Sequence, residues 1–144
     1  MRISGLLREK GGFVATVGPD ATVVQVLAGL AEHGVGALVV TEDAKHILGI
    51  VSERDIARVL HRDGTAALDR PVREVMTAEV RTCGPDDTVD SLMALMTERR
   101  IRHVPVFTEG RDLVGIVSIG DVVKFKSAEQ DFQIKFLTEY IESG

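Results

Sequence analysis

The chain has 144 residues, 44% of them hydrophobic and 27% charged, a balance that fits one compact domain with a substantial core and excludes a disordered chain. A formal net charge of −5 argues against general affinity for nucleic acid or an anionic membrane, both of which need basic surface to displace counterions, but leaves room for small anions held by local basic groups. The single cysteine, Cys83, rules out an internal disulfide; with no apolar run near the ~18 residues of a membrane span and no hydrophobic leader core in residues 1–12, a cytoplasmic protein is expected.

In chain order, Ile3, Leu6 and Leu7, then Arg8, Glu9 and Lys10, then Gly11-Gly12, predict a short amphipathic helix stopped by glycine. Residues 13–17 read as extended and end at Gly18-Pro19. Thr22 opens a helix with Gln25 three residues on, a capping-box spacing, and Val23, Val26, Leu27, Leu30 and Ala31 form one apolar stripe. Gly34 and Gly36 release it into residues 37–41, an apolar run too short for a helix and therefore a strand. A polar turn at 42–46 leads into a second strand at 47–51, and another helix begins at Ser52. Both strands are nearly continuous Val, Ile and Leu, so both faces of their sheet are expected to be covered.

Residues 14–58 then return, without a gap, as residues 80–124 at a constant offset of 66. Thr16, Gly18, Pro19, Asp20, Thr22, Gly49, Ser52 and Asp55 have identical partners in Thr82, Gly84, Pro85, Asp86, Thr88, Gly115, Ser118 and Asp121. Each copy is too small to close a core alone and is expected to pack against its sibling. The unit reads strand, helix, strand, strand, helix, an α/β architecture. Its parts are laid out as residues 1–62, the first repeat with its N-terminal helix; 63–70, a linker; 71–126, the second repeat; and 127–144, a C-terminal amphipathic helix, all in one compact module. In that last stretch Phe132, Phe136 and Tyr140 recur at i, i+4. Such an aromatic edge either packs on the chain's own core or forms a dimer contact.

The candidate chemistry lies in Gly49-Ile50-Val51-Ser52-Glu53-Arg54-Asp55 and its echo Gly115-Ile116-Val117-Ser118-Ile119-Gly120-Asp121. Each stands where a buried strand hands over to a helix, whose first N–H groups suit a phosphate and whose Asp could accept hydrogen bonds from a ribose diol. The same Ser-x-x-Asp spacing is also a helix cap, and spacing alone leaves both readings open. Thr16 and Thr82, just before the Gly-Pro turns, are equally ambiguous. The basic run Arg99-Arg100-Ile101-Arg102-His103 either complements a helix C-terminus or binds an anion between the copies, with Arg54 as a second cation. A catalytic constellation does not emerge. Cys83 answers Val17 and reads as a small buried hydrophobe, His33, His46 and His61 lie among charged residues, Asp86-Asp87 is not repeated, and no zinc or phosphate-loop spacing occurs.

The doubled Gly-h-h-Ser-x-x-Asp, the preceding Thr-x-Gly-Pro-Asp-x-Thr-Val and the run Arg102-His103-Val104-Pro105-Val106 resemble a tandem pair of cystathionine-β-synthase (CBS) domains, the Bateman module, of the stand-alone bacterial type. The resemblance spans about residues 6–126. It implies two β-α-β-β-α repeats packed about a pseudo-twofold axis, with clefts between them for adenosine compounds such as AMP, ADP, ATP, NAD or S-adenosylmethionine, AMP foremost. Carried over by position, Asp55 and Asp121 would hold ribose hydroxyls, and Ser52, Ser118, Thr16 and Thr82 would meet phosphate or sugar. The backbone around Gly36, Ala37, His103, Val104 and Pro105 would line an adenine pocket, with Arg54, Arg102 and His103 toward phosphate. The implied role is a non-catalytic sensor that signals through a homodimer or an unidentified protein partner, binding no nucleic acid or membrane, with no obligatory cofactor and no metal; the alternative is an interaction scaffold without ligand. Two departures stand out: Arg54 and Gly120 replace a hydroxyl residue common before the Asp, and Val39 stands where the second copy has Pro105, so the clefts need not be equivalent.

Overall fold

The computed structural model describes the backbone of residues 1–143 and the side chains of all of these except 131–133, 135–136 and 139–143. The chain runs α1 (Ile3–Lys10), β1 (Thr16–Val17), α2 (Val23–His33), β2 (Ala37–Thr41), β3 (Ile47–Ser52) and α3 (Glu53–Asp63). Two 3-10 turns follow, Gly64–Asp69 and Val72–Glu74, and then α4 (Val89–Arg99), β4 (His103–Phe107), β5 (Leu113–Ser118) and α5 (Ile119–Ser143). In the first repeat β1 pairs parallel to β2, which pairs antiparallel to β3. β4 and β5 repeat that antiparallel ladder in the same register, Val39 opposite Ile50 in one and Pro105 opposite Ile116 in the other. Both ladders even shift at equivalent places, Val40/Thr41 and Val106/Phe107.

The predicted capping box at Thr22 is present. Its hydroxyl accepts from the Gln25 N–H at 3.2 Å, and the Gln25 side chain accepts from the Thr22 N–H at 2.9 Å. Val23, Val26 and Leu30 bury the stripe of α2, whereas Leu27 and Ala31 remain exposed. The segment at 13–17 pairs as a strand only at Thr16–Val17, and its counterpart shrinks to one bridge between Cys83 and Val106. Proline explains the difference: in the first repeat the Val39 N–H donates to the Ala15 carbonyl at 3.1 Å, and Pro105, at the position of Val39, has no N–H to give. The stretch expected to be a linker is folded as the 3-10 turn Gly64–Asp69, with Ala67 fully buried.

Each repeat completes the core of the other. Ile3 and Leu6 of α1 are buried with Val89, Leu92, Met96, Val104 and Val117 of the second repeat, while Val72, at the head of the second repeat, is buried with Val23, Val26, Leu38 and Val51 of the first. Backbone bonds fix the exchange in both directions: Ile3 N–H to the Asp87 carbonyl at 2.9 Å, and Val72 N–H to the Ala21 carbonyl at 2.7 Å. Gly49 and Gly115 make room for the crossing segments. A Cβ on Gly49 would lie 2.7 Å from the Thr77 carbonyl oxygen and one on Gly115 2.6 Å from the Leu7 side chain. Two such repeats about a pseudo-twofold axis leave equivalent crevices on either side of their junction.

α5 continues far beyond the second repeat. Val122 anchors it in the core, while Val123, Ile134 and Leu137 are exposed. The aromatic edge of Phe132, Phe136 and Tyr140 lies outside the described side chains. Among the described residues no helix is long and apolar enough to cross a membrane.

Candidate functional site

Both Ser-x-x-Asp motifs cap their helices. Asp55 Oδ2 accepts from the Ser52 N–H at 2.9 Å and its hydroxyl at 3.1 Å, and the Ser52 oxygen accepts in turn from the Asp55 N–H at 3.4 Å. Asp121 Oδ2 accepts from the Ser118 N–H at 2.8 Å, and the Ser118 oxygen accepts from the Asp121 N–H at 3.1 Å. Capping therefore uses one oxygen of each carboxylate. At Asp55 the other oxygen, Oδ1, has a single long contact from the Thr77 hydroxyl, 3.4 Å, and keeps acceptor capacity. The capping and ligand-holding readings are thus compatible at this residue.

Asp55 faces a cleft of about 210 Å³ built from both repeats. The first repeat contributes Gly36, Ile50, the start of α3 from Ser52 to Asp55, and Arg58; the second contributes Thr77, the stretch 79–81 and the stretch 100–103. Five guanidinium groups line it, those of Arg54, Arg58, Arg81, Arg100 and Arg102, against the carboxylates of Glu53, Asp55 and Glu79. The arginines that form salt bridges among the described residues are Arg2, Arg62, Arg70 and Arg73, all elsewhere. Arg100 occupies a left-handed conformation (φ 54°) at the end of α4, where the first repeat has Gly34 at φ 61°. A side chain in that conformation costs backbone energy that glycine avoids.

The equivalent cleft, about 380 Å³, takes Ile116, Ser118 and Asp121 from the second repeat and Lys10, Gly11, Phe13, Ala15 and the stretch 34–37 from the first, together with His103. Here the capping oxygen takes a second contact, and Asp121 Oδ1 has no hydrogen-bond partner among the described residues. Lys10 Nζ donates to Asp121 Oδ2 and to the Ile116 carbonyl, each at 2.5 Å. Burial works against ionisation of Asp121, yet the Lys10 ammonium and the Ser118 N–H outweigh it and hold the carboxyl below its ordinary range.

Gly36 and His103 line both clefts. A Cβ on Gly36 would lie 3.1 Å from His103 Nε2, so a larger residue there would press on the imidazole. Burial, and then the positive charge of Lys10, push His103 below its ordinary pKa, outweighing Asp121 and Glu53. The ring is therefore neutral near pH 7 and offers a hydrogen bond, not a charge, to either cleft.

The structure thus gathers Gly36, Ser52, Arg54, Asp55, Arg102 and His103 in one cleft and Gly36, Ala37, His103, Ser118 and Asp121 in the other. Thr16 and Thr82 are exposed and line neither, and Val104 and Pro105 are buried within β4. Arg58, Arg81 and Lys10 join the clefts unannounced by any motif. Arg58 stands one helical turn after Arg54, which places both on one face of α3; Arg81 and Lys10 arrive from segments distant in sequence. Cys83 does not qualify as a nucleophile, since burial, with Asp87 adding to it, pushes its thiol up to about 12. Among the described residues no group of His, Cys, Asp and Glu could hold a metal ion.

A family model described as "CBS domain" matches residues 13–62 and again 72–128. The mitochondrial CBS domain-containing protein CBSX3 of Arabidopsis thaliana is 35% identical over 150 residues, spanning 99% of this chain and 72% of that one. Among solved structures, a CBS-domain-containing protein from Agrobacterium tumefaciens shares 43% identity over 88% of this chain and 99% of its own, with a TM-score of 0.84. A CBS domain protein from Pyrobaculum aerophilum, solved complexed with AMP, shares 31% identity over 84% of this chain and 89% of its own, with a TM-score of 0.73. The gapless duplication, the exchanged cores, the paired capped aspartates and these matches agree: the chain belongs to the CBS-domain family and carries two of its domains in tandem.

Proposed function

We propose that this chain is a non-catalytic regulatory module that binds an adenosine-containing nucleotide in the Asp55 cleft, AMP first among AMP, ADP, ATP and NAD, and passes the bound state on through a homodimer or a protein partner. The observation that carries the reading is one carboxylate whose second oxygen bears only a long hydroxyl contact, in a cleft lined by five guanidinium groups. A ribose diol satisfies the first and phosphates satisfy the second, since charge-assisted bonds from arginine to phosphate are among the strongest polar contacts in water. The AMP held by the Pyrobaculum aerophilum relative supports the same class of ligand. Because the walls come from both repeats, a nucleotide here favours whichever relative orientation lets it touch both, a physical route from binding to signal. The exposed Val123, Ile134 and Leu137 on α5 give that signal an apolar surface to act through.

The completed helix caps favour a second reading, a scaffold in which Ser52 and Asp55 serve α3 alone. Thermal melts with AMP, ADP, ATP, NAD and S-adenosylmethionine separate the two. A ligand at about 100 times its dissociation constant adds ~2.7 kcal/mol of stability; a shift with the phosphate-bearing members is expected, and a flat response to all five compounds leaves the scaffold.

A further inference from the structure

The two clefts are equivalent by the repeat, so their linings can be set side by side at the offset of 66. Ile50, Ser52 and Asp55 of one are answered by Ile116, Ser118 and Asp121 of the other, an unchanged frame. No arginine survives the change. Arg54, Arg58, Arg81, Arg100 and Arg102 stand against Gly120, Lys124, Ala15, Gly34 and Gly36, and Lys124 lines an adjoining hollow that shares Lys10 and Asp121 with the cleft. The flanking carboxylates go too, Glu53 giving way to Ile119 and Glu79 to Phe13. Lys10 is thus the one cation among the residues lining the Asp121 cleft, and it is already paired with Asp121 at 2.5 Å. A phosphate drawn out of water there would set its charge near a carboxylate with a single ammonium to offset both.

What replaces the charge is an aromatic surface. Phe13 is 67% exposed, lines the cleft with Ala15, Val35 and Ala37, and packs at a tilt against the His33 ring, centroids 5.3 Å apart. A ring left open to water in a cleft suits a planar base, and stacking of that kind asks for no charge. Asp121 meanwhile keeps Oδ1 unpartnered among the described residues, because the cap and Lys10 both use Oδ2. That oxygen can accept from the hydroxyls of a ribose diol. Space is ample, about 380 Å³ against 210 Å³ in the Asp55 cleft. We infer that the Asp121 cleft is a site for an uncharged nucleoside, its base stacked on Phe13 and its diol on Asp121 Oδ1. The chain then sorts ligands by charge, phosphate-bearing ones to the Asp55 cleft and phosphate-free ones to this one. The first half of that division rests on the nucleotide reading of the Asp55 cleft; the second stands on Phe13 and Asp121.

Isothermal titration of adenosine, and separately of AMP, into the wild type, Phe13→Ala, Phe13→Tyr, Asp121→Asn and Asp55→Asn tests both halves, with thermal melts to confirm that each variant folds. Adenosine is expected to bind the wild type, roughly 5- to 150-fold more weakly in Phe13→Ala and about tenfold or more weakly in Asp121→Asn. Its affinity should be kept in Phe13→Tyr, which retains a ring, and in Asp55→Asn. AMP should lose affinity in Asp55→Asn and hold it in Phe13→Ala. Adenosine binding that depends on Phe13, with no binding of AMP to any variant, supports this site and removes the Asp55 reading. No adenosine binding to the wild type, an adenosine affinity unmoved by Phe13→Ala or by a folded Asp121→Asn, or AMP weakened as much as adenosine by Phe13→Ala overturns the inference. Phe13 is exposed, so its two variants carry the test if Asp121→Asn does not fold.

Discussion

Arg100 shows a residue placed against its own backbone preference. The helix end it occupies calls for glycine, which the first repeat supplies as Gly34. Strain of this kind persists where a side chain is wanted for another purpose, and here the side chain lines the Asp55 cleft. Arg100→Gly should therefore raise stability by about 1 kcal/mol in a denaturant melt while weakening nucleotide binding. A loss of stability would show that the arginine serves the fold. His103 makes a separate prediction through pH. An unfolded imidazole titrates near ~6.5, and burial followed by Lys10 sets the folded value lower. Between the two values the unfolded chain binds more protons, so stability rises with pH; it is complete above the unfolded value and is lost as pH falls through the folded one. Denaturant melts across that window should show this slope in the wild type and a shallower one in His103→Gln. Equal slopes would remove His103 as its source.

Helix α1 precedes the first repeat in the chain but belongs to the second in space. Leu6, 2% exposed, sits among second-repeat side chains. Leu6→Ala should cost about 2–5 kcal/mol, as deletions in a packed core do, measured by chemical denaturation; a cost under ~1 kcal/mol would mean that the exchanged helix is dispensable. The apolar rhythm, the glycine stops and the capping box made α1, α2 and the paired strands legible from sequence, because those signals act within a few residues. The offset of 66 told that Asp55 and Asp121 are equivalent. It could not tell that they would differ in company. Lys10 meets Asp121 across 111 positions and Arg81 joins the lining of the Asp55 cleft only once the repeats have docked, and neighbours brought together by docking leave no local period to read. The loss of the second repeat's first strand was written in Pro105, whose missing N–H acquires meaning only beside the Val39 ladder.

In the whole molecule, duplication provides two clefts and divergence gives them different linings. One cleft gathers arginines around its carboxylate; in the other the chain's own lysine bonds the oxygen of Asp121 that also caps α5. The reciprocal exchange of Ile3 and Leu6 against Val72 ties both clefts to one relative placement of the repeats, so a ligand gripping both sides of the Asp55 cleft acts on the whole module. The claim on which this account depends is that Asp55 holds the sugar of a nucleotide in addition to capping α3. Asparagine preserves an acceptor for the cap but gives up the charge that strengthens bonds from ribose hydroxyls. Calorimetric titration of AMP into wild-type protein and Asp55→Asn is the direct test. The account predicts binding to the wild type and a roughly 10- to 100-fold weaker affinity in the variant, the equivalent of one charge-assisted bond of ~1.5–3 kcal/mol. Equal affinities in two equally stable proteins would contradict it.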